Sequence, residues 1–461
     1  MKKALLTFLA LSLTACSVGP DYSRPDVPVP QGWGASAAEQ WPSLDWWRGF
    51  GSPQLDTLMD EAGKANFDIK AASARVRQAD AQAKISGASL LPSVQASIAP
   101  QRSRIPATSV SQSKGAAPVG TNLYNGVFAA SYEVDFWGRN ADSVAAAEAS
   151  AKASRYDLET ARLTVQADVA NTTFSILALQ DRLKVAKDNL AIAETVLDSI
   201  KARVAVGTAA GLDVAQQESV VAEQRAALPP LVQALRQNGV TLAILAGKLP
   251  EEVHLPEGSL EALHLPAVGP GLPSDLLDRR PDVRFAEAQL IAANANIKAA
   301  HAAIFPSVTL TAEGGLESLA LANLLKPSSV LYSLAASAVQ PIFEGGVLEG
   351  GIQLEEGRWD ELVQDYRKAA VNAFGDVEDG LIAVEMTAQQ EDAERVAVDT
   401  GRRAYEISQA QLFGGTVDIV VVLNTQRSLF QAQDLLVQAK LAHAQAVVGL
   451  FRALGGGWRT L

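Results

Sequence analysis

The chain has 461 residues, of which 48 % are hydrophobic and 6 % aromatic, and its formal net charge is −12 at pH 7. This acidic balance argues against nucleic acid as a partner, because nucleic-acid binding favours basic surfaces. Beyond the first residues no apolar run reaches the length of about 18 residues that a membrane-spanning helix needs, so any further membrane crossing must use strands.

The start of the chain has the features of a secretory signal. Lys2 and Lys3 precede a short apolar run over residues 5–13, which is too short to span a bilayer. The sequence LTAC that ends at Cys16 resembles a bacterial lipobox, in which the peptide is cut before the cysteine and the sulfur receives a diacylglycerol. We therefore predict a signal peptide over 1–15, lipidation of Cys16, and an anchor and extended segment over 16–60.

Two alternatives bear on this anchor. Cys16 is the only cysteine in the chain, and it could instead be a small buried or free thiol near a terminus. An aspartate after the lipidated cysteine indicates retention at the inner membrane in such lipoproteins. Ser17 occupies that position, so the outer membrane is the expected location.

The chain contains an internal repeat. The segment 66–94, NFDIKAASARVRQADAQAKISGASLLPSV, returns at 280–308 as RPDVRFAEAQLIAANANIKAAHAAIFPSV. The apolar positions of both copies follow the three- and four-residue spacing of a helix that packs along one face. We predict a first repeat over 61–265 and a second over 266–461, each with a helix, two strands and a long helical hairpin.

The predicted hairpins contain unusually long helices. Residues 141–206 include neither proline nor glycine, so they can form one helix of about 100 Å. Residues 347–412 are its partner in the second repeat. Helices of this length predict a tube or stalk with coiled-coil seams. The pair Pro229 and Pro230 is expected to break or kink the helix that follows the first long one.

A proline in each repeat, Pro92 and Pro306, marks a change from helical to alternating spacing. Further along, Phe128 to Phe136 alternate between an apolar face and a face that carries Glu133 and Asp135. Apolar side chains outside and polar side chains inside are typical of a transmembrane barrel wall, which makes Glu133 and Asp135 pore-lining candidates. A soluble antiparallel sheet is the alternative interpretation.

Four strands per chain cannot close a barrel, and open strand edges are costly in lipid. Two copies would supply eight strands with a filled interior, whereas three copies would supply twelve with room for a pore. A water-filled channel therefore favours a homotrimer, and the predicted fold is of the α+β class.

Three segments carry a family resemblance: WWRGFGSPQLDTLMDEA at 46–62, RRPDVRFAEAQLIAANANIKAAHAAIFPSVTL at 279–310 and VQPIFEGG at 339–346. They resemble the TolC-like outer-membrane efflux proteins, and specifically the NodT-like lipoprotein branch that serves resistance-nodulation-division (RND) pumps. The resemblance implies a trimeric twelve-stranded barrel in outer-membrane lipid, continued by a long α-helical barrel that extends into the periplasm. It also implies two protein partners, a periplasmic adaptor and an inner-membrane RND-type pump.

The predicted function is a passive outer-membrane channel of a tripartite efflux system that exports drugs or other small toxic compounds. The alternative is a periplasmic coiled-coil adaptor or scaffold lipoprotein, which should lack lipid-facing strands. No enzyme, cofactor or metal is expected, because the four histidines show neither ligand nor triad spacing (His254, His264, His301 and His443).

The two hairpin turns are candidates for a periplasmic gate. They are VGTAAGLDVAQQES at 206–219 and GGTVDIVVVLNTQRS at 414–428. In the resembling family these turns form the tips that close the tube, and Asp213 matches a gate aspartate. In the second turn the gate candidates are Asp418, Val420, Val421 and Asn424. Val422 could add to an apolar constriction there, and Asp418 could instead merely cap the following helix.

Overall fold

A computed structural model describes residues 18–33, 41–105, 119–269 and 271–458. The described residues form eight α-helices and four β-strands, with short 3-10 turns between some of them. None of the described helices has a stretch that is long and apolar enough to cross a membrane. The helices are α1 (Pro53–Ala65), α2 (Phe67–Gly87), α3 (Arg139–Ala205), α4 (Gly211–Leu245), α5 (Pro273–Arg279), α6 (Pro281–Ala302), α7 (Val347–Phe413) and α8 (Ile419–Ala453). The strands are β1 (Ser93–Ile105), β2 (Val119–Val134), β3 (Ser307–Ser318) and β4 (Val330–Val339).

The two halves of the chain repeat one series of elements. In each half a helix of about six turns (α2, α6) is followed by two strands and then by a pair of long helices. The first long helices, α3 and α7, both have 67 residues, and the second, α4 and α8, both have 35. This confirms the predicted internal repeat and the predicted continuous helices.

Local chemistry explains where the first helices begin. Ser52 caps α1, since its Oγ accepts a hydrogen bond from Leu55 N at 3.3 Å, and Pro53 follows at the first helical position. Asn66 does the same for α2, because its Oδ1 accepts from the backbone N of Asp68 and Ile69. The break expected at Pro229 and Pro230 does not occur, since α4 runs through both. Proline has a helical φ, so the chain can continue with the loss of one backbone donor at each position.

The residues pack into two compact units. One comprises described residues within 18–25, 76–153 and 286–366, and it contains the sheet. The other comprises described residues within 26–75, 154–285 and 367–458. An aromatic cluster lies in the core of this second unit, where the rings of Phe50 and Phe174, and those of Trp46 and Phe451, have centroids 4.9 Å apart. Aromatic pairs at this separation add to the stability that burial gives.

The sheet is antiparallel and has the order β1-β2-β3-β4. Ser93 pairs with Ser131, Val134 with Val308, and Ser307 with Val339. Because side chains alternate along each strand and paired residues share a face, this register decides which side chains lie together.

Candidate functional site

One face of the sheet is apolar and exposed. Ile98 is 86 % exposed and Phe128 66 % exposed, although both are large and hydrophobic. The register places them with further exposed or half-exposed apolar and aromatic residues, namely Val94, Tyr132, Leu310, Tyr332 and Leu334. A continuous exposed apolar face marks a surface that meets lipid or another protein.

The opposite face is mainly polar. It carries serine, threonine, glutamine and glutamate side chains from all four strands (Gln95, Ser97, Ser131, Glu133, Thr309, Thr311, Glu313, Glu317, Ser333 and Ser337). The predicted alternation is therefore present in both repeats. The strands β1 and β4 form the two edges of the sheet, and an edge strand presents unpaired backbone groups.

Glu133 and Asp135, the predicted pore-lining residues, both bind local partners. Glu133 lies on the polar face of β2, and its two carboxylate oxygens accept hydrogen bonds from Arg139 Nη2 at 2.7 Å each. Strand β2 ends at Val134, so the alternation does not extend to Asp135. The Asp135 carboxylate instead accepts from the backbone N of Asn140 and Ala141 at the start of α3, at 3.1 and 2.7 Å, where the helix dipole favours a negative charge.

Two further carboxylates on the polar face were not among the predicted site residues. Glu313 and Glu317 are exposed on β3, and neither forms an ion pair within the part of the chain that the structure describes. The sequence signal was the alternation after Pro306, which continues to Ser318. Within the described ranges, Glu313 and Glu317 are therefore the carboxylates of this face that have no ion-pair partner.

The N-terminal segment from residue 18 to residue 25 lies alongside helix α6. The Pro20 carbonyl accepts from Asn294 Nδ2 at 3.1 Å, Asp21 pairs with Lys298 at 2.9 Å, and Arg24 pairs with Glu287 at 3.1 Å. A hydrogen bond from Lys298 lowers the pKa of Asp21. The segment thus approaches the end of α6 that leads into β3 as it nears residue 18. Cys16 lies outside the described residues.

The two hairpin turns have the same backbone geometry. Gly207 and Gly415 adopt left-handed φ values of 75° and 71°, which glycine allows without a steric penalty. In each turn two backbone N–H groups bond back to the last turn of the long helix: Gly207 and Thr208 in the first, Gly415 and Thr416 in the second. This is the Schellman arrangement that ends a helix, and both hairpins turn within the predicted segments 206–219 and 414–428.

The aspartates of the two turns differ in their bonding. Asp213 lies in the first turn of α4, and its Oδ2 accepts from the backbone N of Ala210 at 2.9 Å. Asp418 occupies the N-cap position of α8, but its side chain accepts no capping hydrogen bond. The alternative role of Asp418 as a side-chain cap is therefore wrong, and its carboxylate is exposed.

The start of α8 has one exposed and one buried face. Val420, Val421 and Asn424 lie together on the exposed face, where the two valines are 43 % and 42 % exposed. Val422, the third valine predicted for an apolar constriction, is fully buried among residues of both hairpins and cannot face a channel. The helical period requires this separation, because residue 422 shares its face with the buried Ile419 and Gln426.

The two hairpins are joined mainly by an apolar cluster. It contains residues from α3, α4, α7 and α8 (Ala193, Val196, Leu197, Ile200, Val220, Val221, Tyr405, Leu412, Ile419, Val422, Leu423, Leu429 and Phe430). Burial in it raises the pKa of Tyr405. Polar links add to the contact: Arg203 Nη1 donates to the Leu412 carbonyl at 3.3 Å, and Arg427 pairs with Glu223 at 3.3 Å.

The histidines do not form a catalytic or metal-binding arrangement in the described structure. His443 on α8 contacts Glu391 on α7, with Nδ1 and Oε2 2.9 Å apart. Across the described ranges there is no group of three or more His, Cys, Asp or Glu side chains that could hold a metal ion.

Comparisons with known proteins agree with this architecture. The family model "Outer membrane efflux protein" matches residues 58–248 and 272–456. The pyoverdine export outer membrane protein OpmQ of Pseudomonas aeruginosa is 38 % identical, over 100 % of this chain and 98 % of its own. The toluene efflux pump outer membrane protein TtgF of Pseudomonas putida is 34 % identical, over 98 % and 96 %. The open-state structure of the Neisseria gonorrhoeae MtrE outer membrane channel superposes with a TM-score of 0.88 at 28 % identity, over 96 % and 99 %.

Proposed function

Because the chain belongs to the outer membrane efflux protein family, we propose that three copies form a passive duct through the outer membrane. Members of this family are channels and not enzymes. The observation that carries the proposal is the four-stranded sheet with one exposed apolar face, one polar face and two open edges. Closure of these edges between copies satisfies the backbone groups in lipid, and twelve strands leave an aqueous interior.

The long helices continue the duct into the periplasm in this proposal. The partners are a periplasmic adaptor and an inner-membrane pump of the RND type, which supply the cargo and the energy. The cargo is drugs or other small toxic compounds, in keeping with relatives that are named for pyoverdine export and toluene efflux. The repeats over 61–265 and 266–461 each supply one sheet hairpin and one helical hairpin to the wall.

The alternative role, that of a periplasmic adaptor or scaffold lipoprotein, is not favoured by the sheet. A protein that stays in the aqueous periplasm rarely exposes a continuous apolar face, and Ile98 and Phe128 are largely exposed on this one.

The lipid anchor at Cys16 is part of the proposal, together with removal of residues 1–15. The path of residues 18–25 along α6 supports it, because this segment approaches the sheet as it nears residue 18. A diacylglycerol on Cys16 would then reach the inner leaflet of the outer membrane. Acyl chains of this kind contribute about 0.8 kcal/mol for each buried CH₂ group.

The expected result for the mature protein is a first residue Cys16 that carries lipid. Intact-mass spectrometry of the purified protein measures this directly. A Cys16→Ser variant should still insert its sheet into the outer membrane, because the anchor adds only attachment. An unmodified thiol at Cys16, or a chain that retains residues 1–15, would contradict the proposed lipid anchor.

The duct itself is tested by conductance and ion selectivity in planar bilayers. We expect a channel that prefers small cations weakly, because the polar face carries the exposed carboxylates of Glu313 and Glu317. The double variant Glu313→Gln/Glu317→Gln should lower the cation-to-anion permeability ratio about twofold to threefold, with a larger effect at low salt. Glu133→Gln, which removes a charge already paired with Arg139, is the matched control and should change the ratio less. The absence of conductance both in the unmodified protein and in the variant Val421→Asp, which is designed to open the gate, would contradict the duct. A preference for anions would contradict the charge assignment.

A further inference from the structure

Two arginines lie at the end of the apolar face of β1. Side chains alternate along this strand, so Arg102 and Arg104 lie on the face of Val94 and Ile98. Ser103 points to the opposite face, where its Oγ and Thr121 Oγ1 are 3.0 Å apart. This contact fixes the register of the strand between the two arginines, and both of them are exposed.

The apolar band below the arginines has the height of a membrane core. Tyr132 and Tyr124 lie on the same face of β2, eight residues apart, which is about 27 Å along a strand. A strand tilt of about 40° reduces this to about 21 Å, near the roughly 25 Å band between the aromatic girdles of outer-membrane barrels. Tyr124 pairs with Pro100, so Arg102 and Arg104 lie beyond the second girdle.

The direction of the strands shows which end of the sheet this is. Tyr132 lies near the end of β2 that leads into α3, and the arginines lie at the opposite end. If the helices extend into the periplasm, as proposed above, the arginines lie at the headgroups of the outer leaflet.

The part of the chain that carries the two arginines, from the start of β1 to Tyr132 in β2, has positive charges only. Residues 92–132 contain Arg102, Arg104 and Lys114 but no aspartate or glutamate. Among the residues that the structure describes, no side chain forms an ion pair or hydrogen bond with the guanidinium of Arg102 or Arg104. Two exposed guanidinium groups at alternate positions are about 7 Å apart along the strand, and each can bind a phosphate through two parallel hydrogen bonds.

We propose that Arg102 and Arg104 form a binding site for the phosphate groups of the outer-leaflet glycolipid. The inference rests on the proposed insertion of the sheet into the outer membrane. The apolar face next to the arginines binds the acyl chains of the same lipid, so both parts of an anionic lipid find a matching surface. The site holds this lipid at the β1–β2 hairpin of each copy.

The test compares lipid retention by purified variants in detergent, measured by native mass spectrometry after addition of lipopolysaccharide. The variant Arg102→Gln/Arg104→Gln should retain about tenfold less lipid than the unmodified protein. Arg102→Lys/Arg104→Lys should retain an intermediate amount, since lysine keeps the charge but loses the bidentate geometry. The matched control Arg367→Gln/Lys368→Gln removes two exposed cations from α7 and should retain as much as the unmodified protein.

Two further probes identify the source of the phosphate. Dephosphorylated lipopolysaccharide should bind the unmodified protein and the glutamine variant equally. Inorganic phosphate alone should leave the thermal unfolding midpoint of the protein unchanged; a rise equal to that with lipopolysaccharide would show a site for free phosphate and overturn the lipid assignment. Equal retention of phosphorylated lipopolysaccharide by the unmodified protein and the glutamine variant would also overturn the lipid assignment. The conductance of the same samples is measured in planar bilayers. Samples that conduct contain an intact channel, so a failed lipid prediction in them concerns the arginine site and not the proposed channel.

Discussion

Replacement of Val421 by aspartate is expected to raise the resting conductance of the isolated channel about tenfold. Val421 is 42 % exposed on the face of α8 that it shares with Val420 and Asn424. In the proposed trimer this face of each copy approaches the axis, where apolar side chains form a constriction that excludes water. Asp418, three residues earlier, already places an exposed carboxylate near this face.

The size of the effect follows from charge repulsion. Three added carboxylates close to the axis, next to three copies of Asp418, destabilise the closed state by about 1 to 2 kcal/mol at the effective dielectric constant of a protein surface. Each 1.4 kcal/mol changes an equilibrium by a factor of about ten. Single-channel recording in planar bilayers measures the change, and uptake of antibiotics by cells without the adaptor should rise with it.

Three variants separate the gate from a general disturbance of the tip. Val421→Ser should raise the conductance less than aspartate does, because it removes the apolar surface without adding charge. Val421→Ile keeps the apolar surface and should leave the conductance low. Asp418→Ala should lower the resting conductance, whereas Val421→Asp should raise it. An unchanged conductance in Val421→Asp, Val421→Ser and Asp418→Ala would place the gate elsewhere.

Replacement of Arg280 by alanine is expected to cause the largest loss of stability among the charged residues of the second unit. Arg280 is only 8 % exposed. Its guanidinium pairs with Asp282 at 2.6 Å and Asp376 at 2.9 Å, and it donates to the Ala453 carbonyl at 3.0 Å. Burial alone lowers the pKa of this group, but the hydrogen bonds and charges of the two aspartates outweigh burial and raise it above its ordinary value.

The loss of one partner from a buried charged network costs about 3 to 5 kcal/mol. For a chain of this length that corresponds to a fall of about 3 to 5 °C in the midpoint of thermal unfolding. The neighbouring Arg279 is the matched control. It pairs with Asp275 at 3.5 Å at the surface and stacks over Trp41, so Arg279→Ala should lower the midpoint by about 1 °C. Equal shifts for the two variants would show that the buried network does not stabilise the unit.

The sequence predicted the helical hairpins well because their signals are local and periodic. A seam of apolar residues without proline or glycine leaves α3 no alternative to a single helix, and Gly207 and Gly415 end α3 and α7 by a conformation that glycine adopts freely. The helix through Pro229 and Pro230 shows the limit of such reasoning. Proline disfavours a helix interior but does not forbid it, and packing along the rest of α4 decides the outcome.

The site residues were harder to predict because their positions depend on where elements begin and end. Asp135 is the first residue after the end of β2 at Val134. If the alternation is extended by one residue, Asp135 is assigned to the polar face, but the backbone there is no longer part of the strand. Glu317 falls within β3 only because the strand extends to Ser318. Val422 lies within an apolar run of five residues, and only the contacts of α8 with the other three helices decide which of them are buried.

The number of copies in the particle decides whether the sheet forms a closed duct, since the duct exists only if the sheet edges β1 and β4 close against other copies. Native mass spectrometry of the protein, extracted from outer membranes in a mild detergent, measures this number. We expect three copies per particle, which supply twelve strands and an aqueous interior. A stable monomer would leave the edges open, and a dimer would close only eight strands around a filled interior; either result would contradict the proposed channel.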